Sequence, residues 1–337
     1  MGRGTVYFKS APRIIATYTV GGPKESEGPL GKYLHQRLSD DKFGEKTFEK
    51  AERKMLSYAI DHAVLSSARN FDGIDAVLSG DLLNQIVSAS FAAREFDVPF
   101  IGLYSACSTM SESLSLGACL IDGGYMDTVV CATGSHFASA ERQYRFPLEL
   151  GCTRPPCAQW TVTGAGATVL SKEGNGPKIT MATFGRVVDF GVTDVNNMGA
   201  AMAPAAADTL YRHFRETDSR PEDYDYIVTG DLGAYGSSLM DALMKDKGYS
   251  ISSRHMDCGK MVYHPAETEF QGGSGAGCSA ITLNSYFYRE LTQKPIKMIF
   301  MATGALLSTT TSQQGESVPA ISHLVVIDSR RGEAKCR

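Results

Sequence analysis

No run of the chain approaches the roughly 18 uninterrupted apolar residues that a membrane-spanning helix needs, so any membrane contact is expected to be peripheral. The opening "MGRGTVYFKSAPR" has no apolar core of signal-peptide length, and Val6 stands where a myristoylation pattern wants Ser or Thr. Neither export nor lipidation is indicated. The eight cysteines form no CxxC pair and the seven histidines do not group with them at zinc spacing, so no metal site is expected. Cys119, Cys131 and Cys278 sit inside apolar, small-residue segments, which points to reduced thiols in a cytosol-like compartment. Basic stripes are missing as well. With a net charge of −4, nucleic acid is not an expected partner. "GGSGAGCS" (272–279) lacks the Lys-Ser/Thr of a phosphate loop and does not follow GxGxxG, so no nucleotide cofactor is expected.

What is present is a large globular chain of 337 residues, 43% of them apolar. The segment 47–68 has amphipathic helical spacing through Met55, Tyr58, Ala59, His62, Ala63 and Leu65, with His62 at the edge of the core. "IDAVLSGD" (74–81) is a short buried strand ended by a turn; "LNQIVSASFAAREFDV" then reads as a helix and "PFIGLY" as another strand. From Ser105 to Ile121 the chain is Ser and Ala around most of a helix, anchored by Met110, Leu114 and Ile121, a pattern of burial on all sides. "DTVVCATGSHF" (127–137) supplies a strand and its exit loop. "MAPAAADTLYRHF" (202–214) reads as a packing helix begun by Pro204.

The second half repeats this order. "YDYIVTGDLGAYGSS" mirrors "IDAVLSGDLLNQIVSAS", "GGSGAGCSAITLNSYF" mirrors the helix of Cys107, and "KMIFMATGALLS" mirrors "DTVVCATGSHFAS". An internal duplication follows: an α/β protein of two βα halves, 1–175 and 176–337, packed about a pseudo-twofold axis. Open α/β sheets place ligands beyond the carboxyl ends of their strands, so a site is expected between the halves, near Cys107.

A thiol at the first turn of a buried helix faces amide N–H groups and the positive end of the helix dipole, which favours thiolate. Acyl transfer also requires a base or cation and donors for the oxyanion. The duplicated architecture and a Cys opening a buried helix after "GLYSA" resemble the thiolase superfamily, which includes the ketoacyl synthases. That resemblance implies a layered α-β-α-β-α arrangement. It also implies a His after the strand "DYIVTG" and a His or Asn in the Gly-rich segment, where this chain has Gly230-Asp231-Leu232 and Gly272-Gly273-Ser274. Condensation is therefore disfavoured, and the protein is expected to be non-catalytic. An acyl-thioester condensing enzyme or acyltransferase using Cys107 is the alternative.

"VGGPKESEGPLG", "SGDLLNQ", "ACSTMSE", "SHFASAERQYRFP", "DVNNMGAAMAPAAADT", "TGDLG", "GGSGAGCSA" and "ATGALLS" together resemble one non-condensing branch, the stage V sporulation protein AD family, from about residue 20 to 325. This resemblance implies binding of dipicolinic acid (pyridine-2,6-dicarboxylate), as the free acid or its calcium chelate. It further implies a peripheral place at the inner membrane of the forespore and spore, in a complex with the other stage V sporulation A membrane subunits that takes up and releases this solute in sporulation and germination. A homodimer is the expected oligomer, as in related folds.

A pocket for a planar dianion needs donors and positive potential. The Cys107 helix end offers amides near Ser108 and Thr109. Ser108, Ser135 and Ser274 offer hydroxyls, with Gly273 beside the last. His136, Arg142 and Arg145 follow a strand that should point at the site, and an arginine fork suits a carboxylate. Asn84 is expected to line the pocket. Asp81 and Asp231, at equivalent turns, are expected to cap helices, the alternative being to order calcium if the chelate binds, and a ligand contact is also assigned to Asp231. Asn196 and Asn197 shape a loop, and His213 is incidental. His255 and His264 are the histidines that could stand in for the missing base.

Overall fold

A computed structural model of the chain describes residues 4–144, 154–265 and 271–330. Two sets of five strands repeat one topology. In the first half the order is Phe100–Gly102, Ala76–Gly80, Thr128–Ser135, Gly164–Ser171, Arg13–Gly21; in the second it is His255–Asp257, Tyr226–Thr229, Lys297–Ala305, Ala320–Asp328, Lys178–Thr183. Within each set the first three strands are parallel and the last two antiparallel. The last strands of the two sets, Arg13–Gly21 and Lys178–Thr183, touch through one pair, Arg13 opposite Lys178.

Side chains alternate across a strand, and here both faces are covered. Leu78, Val129, Cys131 and Leu170 share a central cluster with Val228, Phe300, Val325 and Ile327 from the other half. Their neighbours Val77, Val130 and Val169 point to one outer cluster, and Ile227, Ile299 and Val326 to another. The helix Thr109–Asp122 and the shorter helix Ala276–Thr282 fill the centre, the former packing on strands of both halves. Helix Phe48–Ser66 covers the first sheet, and Met198–Thr217 with Gly233–Asp246 the second. The layers therefore run α-β-α-β-α, the thiolase-like arrangement. No helix among the described residues is long and apolar enough to cross a membrane.

Several local expectations need correction. In Phe48–Ser66 the buried stripe runs through Met55, Leu56, Ala59, Ile60, Ala63 and Val64, whereas Leu65 is 60% exposed. His62 lies at the edge of this stripe, half-buried and stacked on Tyr58. The region after Asp81 is a short turn and a helix of only Val87–Ala93, because Gln85 and Ile86 take left-handed φ of 59° and 46°. Pro204 lies inside the helix Met198–Thr217; its start is set by Asn197, whose side chain accepts the Ala200 amide at 3.2 Å. Beyond the strand Thr128–Ser135 the chain becomes a helix, Phe137–Tyr144, rather than continuing as a loop.

Candidate functional site

The parallel strands of both halves end around a cleft of about 310 Å³, within the usual range for small-ligand sites. Cys107, Ser274 and Asn84 line it together with Asp81, Tyr104 and Tyr144. Met198, Met202 and Leu306 supply an apolar side. None of the described residues on its wall is Lys, Arg or His.

Cys107 enters its helix through a 3₁₀ turn, Ala106–Ser108, after Ala106 takes a left-handed φ of 48°. That turn changes the expectation of an open helix end. The Ser108 amide donates to the Ser105 carbonyl at 2.9 Å and the Thr109 amide to the Ala106 carbonyl, so these donors are used internally. Ser108 Oγ donates to Ala302 O at 2.8 Å and accepts the His323 amide at 3.1 Å, while Thr109 Oγ1 bonds Ala106 O. Both are fully buried and knit the helix to its neighbours.

Behind Cys107 lies Asp231. Its Oδ2 accepts the Gly275 amide at 2.9 Å and the Ser274 hydroxyl at 3.3 Å; among the described residues its Oδ1 accepts from no nitrogen or oxygen donor. Burial pushes this carboxyl up to about 7, against the pull of the Gly275 amide and a hydrogen bond from the Cys107 thiol. Gln159, which no sequence motif marks, donates through Nε2 to Asp231 O (2.7 Å) and Gly273 O (2.8 Å), tying the two strand ends together. Asp257 stands next to this group and repels it. It accepts from Thr229 Oγ1 at 2.7 Å and from the amides of Leu232, Gly233 and Lys260.

On the opposite wall Asp81 accepts the amides of Leu83 and Ala89, both at 2.7 Å, and so caps Val87–Ala93. Burial pushes it up to about 6. Glu52, fully buried beside it and bonded by Ser139 Oγ, is driven well above the usual carboxylate range by burial and by Asp81. Two such carboxyls cannot both ionise cheaply. Tyr144 donates its hydroxyl to Leu82 O, and burial pushes it up to about 12.

The remaining candidates lie apart from the cleft wall. Ser135 Oγ donates to Val162 O and accepts the Gly277 amide, joining the halves at their centre. His136 is buried, its Nε2 2.7 Å from Asp41 O and its Nδ1 accepting the Ala138 amide, which marks it as a structural residue of the helix start. Arg142 reaches Glu49 at 3.4 Å and lies over the Phe48 ring. Arg145 is outside the described residues. His255 is held between Asp241 (2.7 Å) and Thr229 Oγ1 (2.9 Å), and His264 is exposed; neither lines the cleft. His323, on the almost wholly buried strand Ala320–Asp328, places Nε2 3.3 Å from Ser105 Oγ, and burial brings it down to about 4. Among the described residues no cluster of three His, Cys, Asp or Glu is arranged to hold a metal ion.

The fold is shared with solved structures of the thiolase-like class. The chain aligns with 3-oxoacyl-[acyl-carrier-protein] synthase III from Aquifex aeolicus VF5 over 94% of its length and 99% of that chain, with 12% identity and a TM-score of 0.59. Cerulenin-bound OleA from Xanthomonas campestris matches over 97% and 99%, with 14% identity and a TM-score of 0.61. At that identity the likeness is one of fold. Sequence carries the assignment further: the family described as Stage V sporulation protein AD (SpoVAD) matches residues 2–328, and Stage V sporulation protein AD of Bacillus subtilis (strain 168) is 41% identical over 332 residues, 98% of each chain. The chain belongs to the Stage V sporulation protein AD family, a family of sporulation proteins with a thiolase-like fold.

Proposed function

We propose that the protein is a non-catalytic binding subunit whose Cys107 cleft takes dipicolinic acid, and that it serves in sporulation and germination as a peripheral part of the complex moving this solute across the forespore and spore inner membrane. The observation that supports the non-catalytic reading is what stands at the two places where the resemblance implies a catalytic imidazole or amide. There the chain has Asp231, whose Oδ2 is held by the Gly275 amide and the Ser274 hydroxyl, and Ser274 itself. The family resemblance supports the choice of ligand, and the cleft supports its size and shape, with Met198, Met202 and Leu306 offering a flat apolar side for a pyridine ring.

The wall chemistry refines the form of the ligand. With Asp81 and Ser274 on the cleft wall and Asp231 buried behind Ser274, a bare dianion would face carboxyl groups there, and the calcium chelate, whose charge is balanced, suits that wall better. Calorimetric titration with dipicolinate, calcium dipicolinate and the monoacid picolinate is the test. Preference for the chelate over picolinate is expected; equal binding of all three, or none, overturns the proposal. The condensing reading keeps one observation in its favour, the placement of Cys107 on the cleft wall of a thiolase-like fold. Intact-mass measurement after incubation with acyl-CoA should show no adduct on Cys107 if the binding reading holds.

A further inference from the structure

At the end of the strands opposite the Cys107 cleft, a second cavity of about 510 Å³ lies on the seam between the halves. Arg13 and Lys178 open the first strand of each half and are direct partners in the single antiparallel pair that joins the two sheets. Opposed residues of such a pair project to the same face, and like charges set there repel each other. Both line the cavity. On its other side Lys178 is in register with Asp328, but that carboxylate is gripped by Arg330, Nε to Oδ1 at 3.0 Å and Nη2 to Oδ2 at 2.7 Å. Arg13 spends one N–H on Gly176 O at 3.3 Å, and among the described residues neither Arg13 nor Lys178 has a carboxylate in ion-pair reach. The loop beneath them is fixed: Gly176 sits so close to Ile14 O, 2.0 Å from where a Cβ would be, that no other residue fits. Asn175 and Thr292 add polar groups to the wall.

We propose that this cavity is a binding site for a phosphate-class oxyanion, with the Arg13 guanidinium and the Lys178 ammonium as its ligands and Arg330 at its rim. A fork of N–H donors beside a point charge suits a tetrahedral oxyanion, and an anion between the two cations converts their repulsion into attraction. The site is independent of the Cys107 cleft, so it stands or falls apart from the function proposed above.

Calorimetric titration with inorganic phosphate at low ionic strength tests it, together with flotation on phosphatidylcholine vesicles made with and without phosphatidylglycerol. Arg13→Gln and Lys178→Gln are each expected to weaken phosphate binding about tenfold, the loss of one charge-assisted contact, and to leave the dipicolinate titration unchanged. Phosphate binding without vesicle retention assigns the site to a soluble phosphate-bearing ligand; retention on the anionic vesicles that both substitutions abolish assigns it to a lipid headgroup. In phosphate-free buffer Lys178→Gln should melt no lower than the parent, because it removes a repulsion without removing a hydrogen bond. Absence of phosphate binding with no substitution-sensitive vesicle retention overturns the proposal, as does lower melting of Lys178→Gln without phosphate.

Discussion

Asp81 and Asp231 follow equivalent strands through the same Gly-Asp turn, yet they do different work. In the first half Asp81 spends both oxygens on backbone amides, one of them the amide two residues on, Leu83. In the second half the amide two residues on, Gly233, goes to Asp257 instead, along with that of Leu232. The capping duty has moved to the neighbouring strand. Asp231 is thereby released to hold Gly275 and Ser274 and to meet the Cys107 thiol. A duplicated fold can thus free one copy of a residue for the site when another side chain takes over its structural bonds.

Removing the substitute should break the comparison most severely. Asp257→Ala leaves the buried amides of Leu232 and Gly233 without their acceptor, and a loss of about 3–5 kcal/mol is expected in urea unfolding. Asp231→Asn sharpens it. Without a carboxylate beside the thiol, Cys107 should react several-fold faster with iodoacetamide, followed by mass spectrometry. The same variant should change the pH dependence of stability. Asp231 is raised from 3.8 to about 7 in the folded protein, so its contribution is complete below pH 3.8 and is lost as pH rises through 7. Buried His213 and His323, lowered to about 3 and 4, act in the opposite sense, their contribution fading as pH falls below 6.5. Melting temperatures across pH 5 to 8 should therefore fall less steeply with rising pH, or rise more steeply, in Asp231→Asn than in the parent. The smallest effect concerns the paired thiols. Cys278 is fully buried and its thiol donates to Gly230 O at 3.4 Å, whereas Cys107 borders the cleft; Cys278→Ala should cost about 1 kcal/mol and Cys107→Ala about half that, by denaturant midpoint.

The repeated strand topology was readable because both sets bury short apolar runs on two faces and stop them with Gly-Asp, as in "VLSGD" and "IVTGD". Cys107, Ser274 and Asn84 were readable for the same reason, since they follow those strand ends or open the helix between them. What was not readable depends on backbone direction. Ile86 and Val87 keep helical spacing in the sequence, but left-handed turns at Gln85 and Ile86 swing the chain so that Ala89 reaches Asp81. His136 and Arg142 do follow a strand that ends near the site, yet the helix they enter turns them toward Asp41 and Glu49. The donors assigned to Ser108 and Thr109 are consumed by a turn that composition does not announce.

The helix between the two sheets sets a dimension. At Gly117 an added Cβ would lie 3.0 Å from Val129 and 3.1 Å from Cys131, and Ser111, Ser113, Ser115 and Ala118 are further small inward positions. The rod is thin at these positions, and the sheets close down on it there. A bulkier rod would wedge the sheets apart and widen the mouth at its end. The girth of one helix thus fixes the bore of a pocket whose walls are built by other parts of the chain.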